Sequence, residues 1–147
     1  MTQPLTPPPP VQLVQMITGH WVAAAVYTCA KLRLPDHLAA GPLTAEALAQ
    51  AAGTHADSTY RLCRALGALG VLIESPQRTF ALSPLGDLLR SDHPQSMRPM
   101  AMFQGAPPHW QGWGSFSHAV QTGQPAFEHV HGQQFFDYCA GDPEFAA

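Results

Sequence analysis

The groups in this chain that could do chemistry are eight histidines, three cysteines and a dense set of aromatic side chains toward the C-terminus. His129 and His131 form an HxH pair, but a metal site needs three or four ligands at set spacing. No third ligand stands beside them, so no metal site is expected. Cys29, Cys63 and Cys139 are odd in number, widely spaced and lack any CxxC pair. Each sits in an apolar, helix-like pattern, which reads as a buried free thiol of a reducing compartment. No Ser-His-Asp order, paired carboxylates or GxGxxG loop after a strand is present, so no catalytic residue and no dinucleotide or S-adenosylmethionine (SAM) site is expected in this chain. His109 precedes Trp110 at an expected helix start. It could line a pocket, act as a base, or simply bond to backbone. The aromatic set comprises Phe103, Trp110, Trp113, Phe116, Phe127, Phe135, Phe136 and Tyr138. Most of these belong in a core, while a few at its edge, with Met102, could form a wall for a flat ligand.

The elements that must position these groups come from a chain poor in charge. Hydrophobic residues make up 46% and charged ones 12%, about half the usual charged share. Much of the surface must therefore be apolar, and an oligomer is the natural way to cover it. Seven basic residues, only one of them a lysine (Lys31), face ten acids at a net charge of −3. Nucleic-acid binding draws on neutralised phosphates, so this balance argues against it. No apolar run approaches the ~20 residues of a membrane span. MTQPLTPPPP lacks the basic start and apolar stretch of a signal peptide. Residues 1–10 read as a disordered Pro-rich leader, residues 11–147 as one domain, and the cytoplasm as its compartment.

Val11 to Arg33 reads as one long helix, apolar nearly all round, with Val14, Ile17, Trp21, Ala25 and Val26 as contacts to a second chain. Leu34-Pro35 ends it, and a short turn over 36–40 follows. Thr44 caps a helix through Ala51. Asp57 or Ser58 caps a second, running to about Leu69 with Thr59 or Tyr60, Leu62/Cys63, Leu66 and Leu69 inward, and Gly70 closes it. Residues 71–74 and 79–82 read as a hairpin. Helix, turn, helix and hairpin make a winged-helix core within a mainly α fold. A recognition helix must reach phosphates and bases with Arg or Lys. Here only Arg61, Arg64 and Arg78 are available, and Asp57 opposes them. Helices are expected over 84–90 (capped by Ser83), 96–103, 109–121 and 133–140, with His129 and His131 in a loop.

Four phrases then carry a family resemblance: ALGALGVL (65–72), FALSPLGDLLRSD (80–92), HWQGWGSFSHAVQTGQPAFEHVHGQQFFDY (109–138) and DPE (142–144). In this order they resemble the N-terminal dimerisation domain of SAM-dependent O-methyltransferases of the caffeate, polyketide and phenazine type, over about 13–147. The resemblance implies a helical dimer with a winged-helix core, whose first helix reaches toward the neighbour's active site. It also implies an acceptor wall of Met102, Phe103, Gln104, His109, Trp113 and Phe136. The family's SAM-binding loop and catalytic histidine belong to a Rossmann-like domain downstream, absent here. SAM is therefore expected in a partner chain or a missing domain. The leading expectation is a non-catalytic dimerisation and acceptor-lid subunit, homo- or hetero-oligomeric, paired with a separate SAM-domain chain. The alternatives are a fragment of a full-length homodimeric enzyme and, from another class, a winged-helix DNA-binding regulator.

Overall fold

The computed structural model describes residues 7–142 and residue 145. Pro8 has polyproline II angles (φ −55°, ψ 148°), and helix α1 (Pro9–Ile17) begins inside the proline run, two residues before the expected start. Proline is suited to a first turn, where its missing N–H would have had no partner. Residues 1–6 of the expected leader lie outside the described residues.

The single helix expected over 11–33 is two. Helix α2 (Gly19–Lys31) leaves α1 at a bend of 42°. Thr18 sits at the joint with its hydroxyl donating to the Val14 carbonyl at 2.8 Å, and glycine follows. Side-chain bonding back to a helix carbonyl, next to a residue of poor helix propensity, is a recognised cause of bending. Leu32 closes α2, and Arg33 takes a left-handed turn (φ 53°) into α3 (Leu34–Leu38), whose Leu34, Pro35 and Leu38 are buried. No single helix among the described residues is long and apolar enough to cross a membrane; α1 and α2 together match only across their bend.

The winged-helix core follows as expected, with three differences. Strand β1 (Leu43–Thr44) is an addition, too short to show alternation in sequence. Helix α4 (Ala45–Ala52) is capped by Thr44, whose Oγ1 accepts the Ala47 N–H at 3.2 Å. Helix α5 (Ala56–Ala68) is capped by His55 rather than by Asp57 or Ser58, Nδ1 accepting the Ser58 N–H at 3.4 Å. Thr59, Cys63 and Leu66 face inward from α5 as the spacing predicts, while Leu69 is exposed. Strands β2 (Leu72–Ser75) and β3 (Thr79–Leu82) form the hairpin, and the antiparallel order β1-β3-β2 pairs Leu43 with Phe80 and Leu72 with Leu82. Phe80, Leu34, Leu48, Leu66, Cys29 and Cys63 are the largest fully enclosed side chains with Pro35, so the first helices and the wing share one core.

Ser83 joins this core to the rest. Its hydroxyl accepts the Leu85 and Gly86 N–H groups at 3.1 Å each and faces the Gly70 and Val71 carbonyls at 2.6 and 2.8 Å. Helix α6 (Pro84–Asp87) is a single turn rather than running to Arg90. Helix α7 (Arg98–Gly105) starts two residues later than expected, with Pro99 in its first turn, and packs along α2. Pro107-Pro108 opens α8 (Pro107–Gly114) instead of merely ending α7, and a break at Ser115 separates α9 (Phe116–Thr122). Helix α10 (Ala126–His131) occupies the stretch expected as a loop, and α11 (Phe135–Gly141) follows it.

Candidate functional site

Phe103, Phe127, Phe135 and Tyr138 of the aromatic set gather where α7, α10 and α11 meet, beside His109 of α8. Phe103 stands at its centre, edge-on to His109 (5.0 Å between centroids) and Phe135 (5.9 Å), and stacked on Phe145 (5.4 Å, 27°). Phe127 meets Phe135 and Tyr138 edge-on at 5.2 and 5.4 Å. Such edge-to-face pairs let the positive rim of one ring meet the negative face of another. Gly112 passes over Phe127 with little room to spare: a Cβ there would stand 3.3 Å from the ring.

Two cavities flank this cluster. The first, 310 Å³, lies between α2, α7 and the last residues, lined by Tyr27, Lys31, Met102, Phe103, Pro108 and Asp142 among others. The second, 290 Å³, is almost wholly apolar, with His109, Trp113, Phe116, Phe127 and Phe135 in its wall. The expected acceptor wall is thus divided. Met102 and Phe103 face the first cavity, while His109 and Trp113 face the second. Gln104 and Phe136 line neither. Gln104 is exposed with its amide 3.8 Å from Met100 Sδ, and Phe136 is 82% exposed.

Tyr27, Lys31 and Phe145 were not foreseen as site residues. The first two belong to a helix whose periodicity speaks only of burial, and Phe145 stands by itself after the DPE run. The α2–α7 contact brings Tyr27 and Lys31 to Phe103, and Phe145 reaches it from beyond α11. Burial holds the pKa of His109 below its ordinary value, because the charged imidazolium loses water there. The HxH pair diverges: His129 stacks on His118 at 3.7 Å, while His131 Nε2 lies 3.1 Å from the Pro108 carbonyl. Among the described residues no three His, Cys, Asp or Glu side chains are grouped to hold a metal.

A second surface lies on the first two helices. Val14, Ile17 and Trp21 are 57%, 64% and 65% exposed, continuous with exposed Leu13, Met16 and Val22. An apolar stripe of this kind on a globular domain marks an interaction face. Ala25 and Val26, one turn further on, are half-buried and rest against the chain's own core. On the wing, Arg78 pairs with Glu46 (3.4 Å) and Asp57 (3.8 Å) and covers the Tyr60 ring, and Arg64 pairs with Glu74 (3.6 Å). Two of the three arginines of the would-be recognition surface are thus paired with acids, while Arg61 donates to the Ser58 hydroxyl at 3.4 Å.

Known proteins resemble this chain in sequence and in fold. A family model described as the O-methyltransferase dimerisation domain matches residues 14–92. The phenazine O-methyltransferase PhzM of Lysobacter antibioticus is 41% identical over 132 residues, spanning 90% of this chain and 38% of that protein. The 8-amino-8-demethylriboflavin N,N-dimethyltransferase of Streptomyces davaonensis is 44% identical over 119 residues, 81% of this chain and 34% of its own length. The crystal structure of LaPhzM superposes with a TM-score of 0.91 at 39% identity, covering 95% of this chain and 42% of that one. The chain thus spans about two fifths or less of the relatives it matches, and it belongs to the O-methyltransferase dimerisation-domain family.

Proposed function

We propose that this chain is the dimerising and acceptor-covering part of a SAM-dependent methyltransferase-like enzyme acting on small molecules of bacterial secondary metabolism, in the cytoplasm. The observation that carries the reading is the exposed Val14–Ile17–Trp21 stripe on a domain of this family, a surface suited to a second protein chain. The aromatic cluster around Phe103 supplies the other half of the role, a dry wall for an aromatic acceptor. Excluding water and orienting the acceptor beside a methyl donor lowers a barrier by about several kcal/mol. The base and the SAM site come from a catalytic domain, either on a separate polypeptide or on the remainder of a longer enzyme. The twin is the same chain or a SAM-domain subunit. Neither nucleic acid nor membrane is a partner in this reading.

The test joins two measurements on this chain. Sedimentation at micromolar concentration is expected to give a dimer or larger assembly, and calorimetry with SAM is expected to give no binding heat. A chain that stays monomeric both alone and when mixed with a SAM-domain methyltransferase chain, or methyl transfer by this chain unaided, would overturn the proposal. A winged-helix regulator is the rival reading, and the acid-paired Arg64 of α5 and Arg78 of the wing weigh against it. Salt-sensitive retardation of duplex DNA at micromolar protein would decide for the rival.

A further inference from the structure

We propose that helix α9 is a flap over the second, apolar cavity and that the stacked rings of His118 and His129 are its latch, which holds while at most one ring carries a proton and lets go when both do.

The flap follows from how little holds α9 in place. None of its seven residues is buried. Helix α10 packs broadly on α8, whereas α9 touches both of them only lightly. Ser115 at one end of α9 is outside helical geometry and Gly123 at the other is left-handed (φ 72°), and element-terminal residues of this kind absorb a swing. On one side of the helix Phe116 and Ala119 close the cavity over Phe127 and Phe135. On another, His118 meets His129 of α10 ring over ring, with 3.7 Å between centroids and 12° between planes. Among the described residues α9 has two ring contacts, Phe116 on Trp113 at 5.5 Å and this stack, and the stack is the one that joins it to α10. A seven-residue helix does not persist by itself, so α9 loses its hydrogen bonds once it leaves its neighbours.

The latch follows from charge. An imidazole ordinarily takes up its proton between about pH 8 and pH 5. One proton leaves the stack attractive, as a cation against an aromatic face. Two protons set like charges 3.7 Å apart, which disfavours the contact about sixfold even at the dielectric constant of water. Glu128 lines the same polar cleft with Gln124 and Pro125, and its carboxylate offsets part of the second charge. His131 is on the other side of α10, since residues two apart do not share a helix face. Its Nε2 lies 3.1 Å from the Pro108 carbonyl and its ring beside Phe127 and Tyr138, the side from which α11 reaches α10. His109 of α8 lies across the cavity, against Phe103 and Trp113.

Amide hydrogen exchange on this chain at pH 7.5 and 5.0 tests the latch, with rates converted to protection factors to remove the intrinsic effect of pH. Protection over residues 116–123 is expected to fall about fivefold more than that of α5, which reads opening of the whole domain. His118→Phe keeps a ring on His129 but removes one of the two charges, and is expected to hold α9 closed at both pH values. Glu128→Gln is expected to deepen the fall. Equal protection of α9 at the two pH values, or a fall no greater than that of α5, overturns the proposal without any variant. A fall as deep in His118→Phe as in the unmodified chain also overturns it and shifts the effect to His109.

Discussion

Gly105 and Tyr27 share one space: the position a Cβ would occupy on the glycine is already filled by the Cβ and ring of the tyrosine. This contact is what allows α2 and α7 to lie along one another, and Arg98 secures the same pair by donating from Nε to the Ala30 carbonyl at 3.1 Å. Gly105→Ala should therefore lower stability by about 1–3 kcal/mol, the usual range for overpacking, despite the better helix propensity of alanine. Urea unfolding followed by circular dichroism reads the loss directly. Tyr27→Ala should not rescue the variant, because the Tyr27 Cβ is itself among the colliding atoms; Tyr27→Gly should.

The α1–α2 stripe yields a prediction about assembly. Trp21→Asp places a carboxylate in an apolar contact, and burying an unpaired charge there costs about several kcal/mol. The variant should sediment as a smaller species than the unmodified chain while keeping its helical content, because Trp21 is 65% exposed within the single chain. Val26→Asp should instead unfold the domain, because Val26 rests on the chain's own core. Identical sedimentation of the Trp21 variant and the parent would refute the stripe's role.

The three thiols should differ in reactivity. Burial pushes the Cys29 thiol up to about 12, with the neighbouring Cys63 adding to it. Burial, then the Glu74 carboxylate, raises Cys63 to about 11. Both are fully enclosed, and Cys139 is half-buried. Since the thiolate is the reacting species, a chromogenic disulfide at pH 8 should label one thiol per chain in the native state and three in denaturant. Fast labelling of two or more native thiols would show that the core around Leu66 and Phe80 is not closed.

His109 ties stability to pH. Burial lowers its pKa from the ordinary value of 6.5, so the unfolded chain takes up a proton there that the folded chain resists. Stability should then be full above about pH 6.5 and decline as pH falls from there to the folded pKa, where the decline from this group ends. His109→Gln should remove that part of the slope in urea midpoints measured between pH 7.5 and 5.5. An unchanged slope would mean that the imidazole is as well solvated in the fold as outside it.

Much of the fold was legible because it follows period and punctuation. Thr59, Cys63 and Leu66 recur at helical spacing, Thr44 and Ser83 cap what they were expected to cap, and Gly70 takes a positive φ of 74° at the end of α5. The bend at Thr18 was not legible, because apolar residues continue on both sides of it and a hydroxyl turning back on its own helix leaves no periodic trace. Helix α10 was hidden by its brevity: six residues between Gly123 and Gly132, both left-handed, look like a loop. In the site, Met102, Phe103, His109 and Trp113 were within reach of family likeness. Their division between two cavities was not, since it depends on where α2 crosses α7. That crossing depends on Gly105, a residue with no side chain to attract notice.

The bend between α1 and α2 limits what can cover the exposed stripe. A limb of nine residues is about 13 Å long, so a turn of 42° carries its tip about 9 Å off the line of the other limb. That displacement equals the usual separation of packed helix axes. A straight rod cannot follow both limbs of such a bend, so a counterpart that seals both must itself be curved or built from two pieces.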